Sequence, residues 1–177
     1  ASTIIENIFT TYFPETPQYY DVPNIHIKGN TVFMKNIELV GCYKYGIKFE
    51  NTEVCSLRDF NIAGSEDDKM ECAIYCHKAK NITIDRGWIE QLKDNTYGTG
   101  KEYGIYWKES EGVIDGVLLA HGSIFVDNSR SVLLRKNNFY SAGSGLIRLN
   151  GSDVKTDFNS IGSGGNFVKE LQDGNII

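Results

Sequence analysis

Two aspartates, Asp85 and Asp115, occupy equivalent positions in two copies of a short repeated pattern. If these copies stack in register, the two carboxylates lie on neighbouring strands. Carboxylates about 5 to 5.5 Å apart suit a retaining glycosidase, gaps of about 6.5 to 9.5 Å suit an inverting one, and mutual repulsion keeps a proton on one of them. The pair is therefore a candidate catalytic acid and base. The alternative is an ion-pair ladder in which Arg58 and Arg135 keep both acids ionised, and the flanking arginines favour it.

A second set of equivalent positions predicts an outward row that is rich in aromatic rings. The row consists of Lys48, Tyr75, Tyr106, Phe125 and Arg148, and a second row beside it consists of Glu50, His77, Lys108, Asp127 and Asn150. Aromatic faces stack on sugar rings, while charged groups hydrogen-bond hydroxyls or pair with acidic sugars. All of these residues except Lys48 and Asn150 are candidate substrate-binding residues. The alternative is that a long loop or a neighbouring subunit buries the rings.

His77 lies between Glu50 and Lys108 in the second row. It is a candidate general base for β-elimination on a uronic acid, with Lys108 or Arg148 stabilising the carboxylate of the substrate. A surface ion pair between His77 and Glu50 is the simpler interpretation. We assign no role to the other two histidines.

The cysteines do not predict a metal site. Cys42, Cys55, Cys72 and Cys76 are too sparse for a disulfide framework, so we expect free thiols. Cys72 and Cys76 precede His77, but the four-ligand spacing of a zinc module is missing. No metal and no cofactor is predicted.

The positions of these residues follow from two short patterns that alternate along the chain. In the first, a small residue is followed by Ile, any residue and an apolar residue, and its isoleucines are Ile25, Ile47, Ile74, Ile105, Ile124 and Ile147, which are 22, 27, 31, 19 and 23 residues apart. The second pattern begins seven or eight residues after each isoleucine as a β-branched run that ends in a polar bend, as in Val32 to Ile37. Such runs predict short strands between turns.

A repeat of this kind predicts an all-β solenoid of about seven coils, in which each coil buries its apolar face on the next. Near the start, Thr3 and Glu6 fit a helix capping box. The likeness of Glu6-Asn7-Ile8 to Lys35-Asn36-Ile37 favours a strand there instead. We expect the long connections Gly64 to Cys72 and Gln91 to Tyr103 to wall a groove or to cover the aromatic row, and the segment Pro14 to Pro23 to form a rim loop.

The stretches Gly46 to Val54 and Ser123 to Val132 share a recurring sequence pattern. This pattern resembles that of the right-handed parallel β-helix of pectin-lyase-like proteins, most of all bacteriophage tailspikes and tail appendages. This resemblance implies recognition of a bacterial surface polysaccharide, frequent glycosidase, lyase or esterase activity, and a homotrimer at the virion tail. The leading prediction is a module that binds, and in the enzymatic case depolymerises, such a glycan. The alternatives are a structural shaft or trimerisation module and a secreted pectate-lyase-like enzyme.

The length and the net charge of the chain limit the number of domains and the classes of function that it can have. A chain of 177 residues predicts one β-helix domain, or a fragment of a longer spike, with a Gly-rich segment over 162–177. The net charge of −5 supplies no basic surplus for nucleic acid. No apolar stretch approaches the roughly 20 residues that a membrane span needs, so we expect no membrane insertion.

Overall fold

The structure is a computed structural model that describes residues 2–11, 22–29, 31–42, 44–64, 70–90, 103–120, 122–140, 147–157, 159–161 and 169–171. All regular secondary structure within these ranges is β-strand. In chain order the strands are β1 (Ser2–Thr11), β2 (Ile25–Lys28), β3 (Thr31–Cys42), β4 (Tyr45–Glu50), β5 (Val54–Gly64), β6 (Cys72–His77), β7 (Ile82–Glu90), β8 (Tyr103–Lys108), β9 (Gly112–Leu119), β10 (Ser123–Asp127), β11 (Val132–Arg135), β12 (Asn138–Phe139), β13 (Ile147–Asn150), β14 (Val154–Asp157), β15 (Ser160–Ile161) and β16 (Lys169–Leu171).

The strands form two parallel sheets. The first sheet has the order β1-β3-β5-β7-β9-β11-β14, with β12 and β15 alongside, and the second has the order β2-β4-β6-β8-β10-β13-β16. Each turn of the chain thus places one strand in each sheet, which gives seven coils. The predicted parallel β-helix is confirmed, and a right-handed crossover is the rule for such parallel connections.

The isoleucines of the first pattern set the register of the second sheet. Ile25, Ile47, Ile74, Ile105, Ile124 and Ile147 pair in succession on neighbouring strands. The last five are fully buried, and so are the residues two positions later, Phe49, Cys76, Trp107, Val126 and Leu149. Both inward rows are therefore confirmed, and each fully buried side chain of this size contributes about 1.5–3 kcal/mol to folding.

The long strands of the first sheet all bend at the same point. Asn7, Asn36, Asp59, Arg86 and Gly116 have φ angles of 57°, 54°, 52°, 51° and 65°. This left-handed conformation costs little for Gly and is tolerated by Asn and Asp. Because these five strands bend at equivalent residues, the strand segments on either side of the bend pair with the same neighbours. The first of these strands, β1, confirms that residues 3–9 are extended and not helical.

Small polar side chains satisfy the backbone inside the turns. The amide of Ser110 donates to Oγ of Ser129 at 3.0 Å, and the amide of Ser129 donates to Oγ of Ser152 at 3.1 Å. In the next turn, Oδ1 of Asn137 accepts from the amide of Val117 at 3.0 Å. These ladders pair buried groups that the sheets leave unpaired.

Several predicted segments lie outside the described residues. They are the interiors of the two long connections, at 65–69 and 91–102, most of the Pro-containing segment, and most of the Gly-rich segment. Within the last of these, Lys169–Leu171 form β16 and pair with β13. In the part of the chain described here, no helix is long and apolar enough to cross a membrane.

Candidate functional site

The predicted aromatic row exists on the outer face of the second sheet. Register pairing places Lys48, Tyr75, Tyr106, Phe125 and Arg148 side by side on five successive strands, β4 to β13. All five side chains are partly exposed. Side chains on adjacent strands are about 4.8 Å apart, so the row is a continuous surface along the rod.

Five rings form one continuous aromatic ladder. The ring centroids of Tyr75 and Tyr106 are 5.1 Å apart, and those of Tyr106 and Phe125 are 5.0 Å apart. Tyr45 stacks on Tyr75 at 5.3 Å, and Tyr103 stacks on Phe125 at 5.0 Å. Such contacts contribute roughly 0.5–1.5 kcal/mol per pair beyond burial. Burial also raises the pKa of Tyr75 to about 12, so its hydroxyl stays a neutral donor.

Tyr45 and Tyr103 are members of the ladder that sequence reasoning missed. Strict alternation from Ile47 would turn Tyr45 inward, but Gly46 and Ile47 are both buried, so the alternation breaks there. A Cβ on Gly46 would lie 2.7 Å from the carbonyl oxygen of Ala73, which is why glycine occupies this position. The signal was present in the sequence, because the same Tyr-Gly-Ile tripeptide begins β4 and β8.

Asp127 differs from the expectation that its whole row faces solvent. Its side chain is only 7% exposed, because it sits behind the ladder and accepts three hydrogen bonds. The donors are the hydroxyl of Tyr106 at 3.1 Å, Nδ2 of Asn128 at 3.0 Å and Nδ2 of Asn150 at 2.7 Å. Asp127 therefore positions the Tyr106 ring.

Cations lie at the Tyr45 end of the ladder. The ammonium of Lys44 is 5.9 Å from the ring centroid of Tyr45, and that of Lys48 is 5.7 Å from the ring centroid of Tyr75. Lys48 also pairs with Glu50 at 2.9 Å. This bond is the main reason that the pKa of Glu50 falls to about 2. Glu50 is thus an ionised acceptor beside the rings.

His77 lies beside a carboxylate, but not beside the predicted one. Its Nε2 lies 3.8 Å from Oε1 of Glu109. Glu50 instead contacts Nε2 of His26 at 3.1 Å, in addition to its lysine partners. The ring of His77 stacks beside Tyr75 with centroids 6.1 Å apart, so the imidazole extends the aromatic surface. Lys108 occupies the neighbouring position in register, as predicted.

Asp85 and Asp115 are neighbours in register, as predicted, but on the first sheet. Arg86 donates to Asp85 at 2.7 Å, and Nε of Arg135 donates to Asp115 at 3.1 Å. Arg58 also lies 3.7 Å from Asp85. The bond from Arg135 lowers the pKa of Asp115, which is opposite to what a proton donor needs.

The two sets of predicted site residues do not converge. The aspartates lie on β7 and β9 of the first sheet, whereas the aromatic ladder lies on the second sheet. The arginine contacts of both acids are those of the ion-pair ladder, and Arg86, which the sequence did not single out, is the strongest partner of Asp85. Among the described residues, no contact links either aspartate to the rings, so a catalytic role for the pair stays a prediction.

The fold and the ladder define a parallel β-helix protein with an extended aromatic surface on one sheet. The chain belongs to the NosD family, because the family model described as "Periplasmic copper-binding protein (NosD)" matches residues 6–163. Comparisons with curated proteins and with solved structures gave no significant match.

Proposed function

We propose that the protein binds a polysaccharide along the aromatic ladder of the second sheet, outside the cytoplasm. The observation that carries this proposal is the unbroken run of rings from Tyr45 to Phe125 on four successive strands. At about 4.8 Å per strand, the run extends over roughly 14 Å. The word "periplasmic" in the family description supports the location.

The surroundings of the ladder support a hydroxyl-rich ligand. Partly exposed rings supply stacking surfaces, and Glu50 and His77 beside them supply acceptors and donors for sugar hydroxyls. The lysines at the Tyr45 end extend the choice to acidic sugars. The net charge of −5 disfavours a phosphate backbone as the ligand.

Binding without cleavage agrees better with the geometry than depolymerisation does. Arginines hold both Asp85 and Asp115, and Glu109 engages His77. The test of the hydrolytic alternative is to assay Asp85→Asn and Asp115→Asn on any glycan that the wild type binds. We expect no cleavage by any of the three proteins. Loss in either variant of an activity present in the wild type would assign that residue to catalysis.

A phage-tailspike origin and a homotrimer remain proposals that rest on the sequence resemblance. The family match concerns a periplasmic description and gives no support to the tailspike part. In a structural shaft, side-by-side subunits would cover the ladder. Sedimentation equilibrium measures the subunit number, and solvent accessibility of the tyrosines in the same sample separates a binding face from a covered one.

Copper appears in the family description, but the donor side chains among the described residues do not fit it. Copper is held by thiolates, thioethers and imidazoles. The four cysteines are buried free thiols, and burial raises the pKa of Cys42 and Cys72 to about 12. Among the residues that the structure describes, no group of three or more His, Cys, Asp or Glu side chains is placed to hold a metal ion. We therefore propose no metal chemistry.

The experiment for the proposed function is a glycan array of bacterial surface polysaccharides, followed by calorimetric titration of the strongest ligand. Tyr106→Ala and Phe125→Ala should each weaken binding about 2- to 12-fold, which is the equivalent of 0.5–1.5 kcal/mol of stacking. Tyr140→Ala removes an exposed tyrosine from outside the ladder and is the matched control. Binding that is unchanged in both ladder variants, or absent in the wild type, would contradict the proposal.

A further inference from the structure

A concave surface lies on the first sheet, where its long strands bend. It is an open trough of about 730 Å³ next to the left-handed residues of β1, β3, β5 and β7. This volume is within the range of roughly 300–1,000 Å³ that small-molecule sites occupy. We call it the bend trough. It is separate from the aromatic ladder, which lies on the other sheet.

One wall of the bend trough is a row of four side chains in register. Phe9, Glu38, Asn61 and Trp88 pair in succession across β1, β3, β5 and β7. Phe9 is 65% exposed and Trp88 is 45% exposed. Two large rings are thus exposed about 14 Å apart, over three strand spacings, with a carboxylate and an amide between them.

Two glycines open the trough beside Trp88. A Cβ on Gly87 would lie 2.0 Å from Cζ of Phe60, so the absence of a side chain lets the Phe60 ring lie across the strand. A Cβ on Gly116 would meet nothing closer than 3.9 Å, which leaves open space in front of Arg86. A side chain at Gly87 would displace the Phe60 ring, and one at Gly116 would project into the open space in front of Arg86.

The charge in the trough selects against an anionic ligand. Arg86 lines the trough, and its guanidinium group already binds Asp59 at 2.8 Å and Asp85 at 2.7 Å. Because Asp85 also lies 3.7 Å from Arg58, the two carboxylates balance two guanidinium groups, and Glu38 of the lining adds a negative charge. Carboxylate and amide groups between exposed rings match a ligand with apolar ring faces and neutral hydroxyls.

We propose that the bend trough binds a neutral oligosaccharide, with Trp88 and Phe9 stacking on sugar rings and with Glu38 and Asn61 accepting and donating hydrogen bonds to hydroxyls. This site does not require the aromatic ladder to bind a ligand. A chain that binds glycan at both sheets would hold two strands of a polymer, or two polymers, on opposite sides of one rod.

Tryptophan fluorescence tests the proposal directly, because the chain has two tryptophans and Trp107 is fully buried. Maltohexaose, cellohexaose and chitohexaose should be titrated separately, with hexagalacturonate as the anionic probe. We expect at least one neutral probe to shift Trp88 emission to the blue and to protect it from acrylamide. We expect hexagalacturonate to do neither.

Variants separate the trough from the ladder. Trp88→Phe should abolish the fluorescence response, and Trp88→Ala and Glu38→Gln should weaken calorimetric binding about tenfold. Phe33→Ala, which removes another exposed ring of the first sheet, is the matched control, and Tyr106→Ala should keep the full response of Trp88. A response that survives in Trp88→Phe, or no response to any neutral probe, would overturn the proposal. So would a blue shift that grows with protein concentration in the absence of sugar, because a second copy would then cover the trough.

Discussion

Glu50 has three basic neighbours on two adjacent strands, His26 and Lys28 of β2 and Lys48 of β4. Lys48 donates the dominant hydrogen bond, and the folded pKa falls from 4.5 to about 2. A carboxylate whose pKa is lowered on folding stabilises the native state above its unfolded pKa. That contribution is lost as the pH falls through the folded value.

We therefore predict that Glu50→Gln lowers the melting temperature at pH 6 and that this difference disappears between about pH 4.5 and pH 2. Surface pairs of this kind contribute roughly 0.2–1 kcal/mol, so the difference should be small. Thermal unfolding followed by circular dichroism from pH 2 to pH 7 measures it. Glu53→Gln, at an exposed position in the next turn, is the control. A difference that does not vary with pH would contradict the prediction.

At the residue scale, the sequence predicted inward positions better than outward ones. Alternation from one isoleucine per coil located the two inward rows of the second sheet, because a buried apolar row must repeat in every coil. It did not locate Cys72 and Ala73 of β6, which are also buried. It failed at Tyr45, where two consecutive residues are buried, and at Asp127, which hydrogen bonds from three neighbours hold inside. Neither effect is local, since both depend on the coil that stacks above or below.

At the scale of a single strand, β9 contains two glycines that differ in why they are needed. Gly112 has a φ of 144°, and a Cβ there would lie 2.0 Å from the backbone oxygen of Ile82. Gly116 has a φ of 65° and open space around it. Both conformations strain an L residue, but only Gly112 also meets an immovable backbone atom.

We predict that Gly112→Ala lowers the free energy of unfolding by about 2–5 kcal/mol, because overpacking adds to backbone strain. Gly116→Ala should cost only about 1–2 kcal/mol, the left-handed penalty alone. Urea unfolding followed by circular dichroism gives both values. Equal losses in the two variants would show that the approach of β7 to Gly112 does not constrain the coil.

Adjacent asparagines at the start of β12 provide a second comparison. Asn137 is fully buried, and its amide binds two backbone groups of β9: Oδ1 accepts from the amide of Val117 and Nδ2 donates to the carbonyl oxygen of Ile114, both at 3.0 Å. Oδ1 of Asn138 is buried without a hydrogen-bond partner in the described structure. The same side chain thus has opposite energetic roles at two consecutive positions.

We predict that Asn137→Ala lowers the free energy of unfolding by about 2–4 kcal/mol, since two buried backbone groups lose their partners. Asn138→Ala should be near neutral or stabilising, because it removes an unpaired polar atom. Chemical denaturation of the two variants beside the wild type tests both statements. A larger loss of stability for Asn138→Ala than for Asn137→Ala would show that the hydrogen bonds of Asn137 do not have the stabilising role assigned to them.

The bend trough is also a feature of individual strands and their bends, and the sequence did not predict it. Its curvature arises from left-handed residues of mixed type, and Arg86 among them is not a residue that commonly signals this conformation. Its rings, Phe9 and Trp88, lie past the bend, beyond the part of the second pattern that the repeat aligned. A surface made by four strands at one bend becomes visible only when the register of all four is known.

For the whole molecule, the repeat predicted the architecture because a solenoid needs only nearest-neighbour stacking. The isoleucine spacing varies from 19 to 31 residues, yet the isoleucines stay paired on neighbouring strands, and a register shift between β8 and β10 at Ser123 and Ile124 absorbs one irregularity. Stability in such a rod is approximately a sum over coils and the interfaces between them. In the described structure β5 pairs with both β3 and β7, whereas β1 pairs with β3 alone.

We therefore predict graded hydrogen exchange along the rod. Amides of β5, β7 and β9, which have strand partners on both sides, should be the most protected. Those of β1, which pairs with β3 alone in the described structure, should exchange at least tenfold faster, because opening β1 disrupts one described interface and not two. Exchange followed by mass spectrometry of peptic fragments measures this order. Asn137→Ala, which removes the hydrogen bonds from this side chain to β9, should accelerate exchange near β9 and β12 more than at β1. Uniform protection in the wild type would mean that the coils unfold as one unit, and the nearest-neighbour description of this rod would then be wrong.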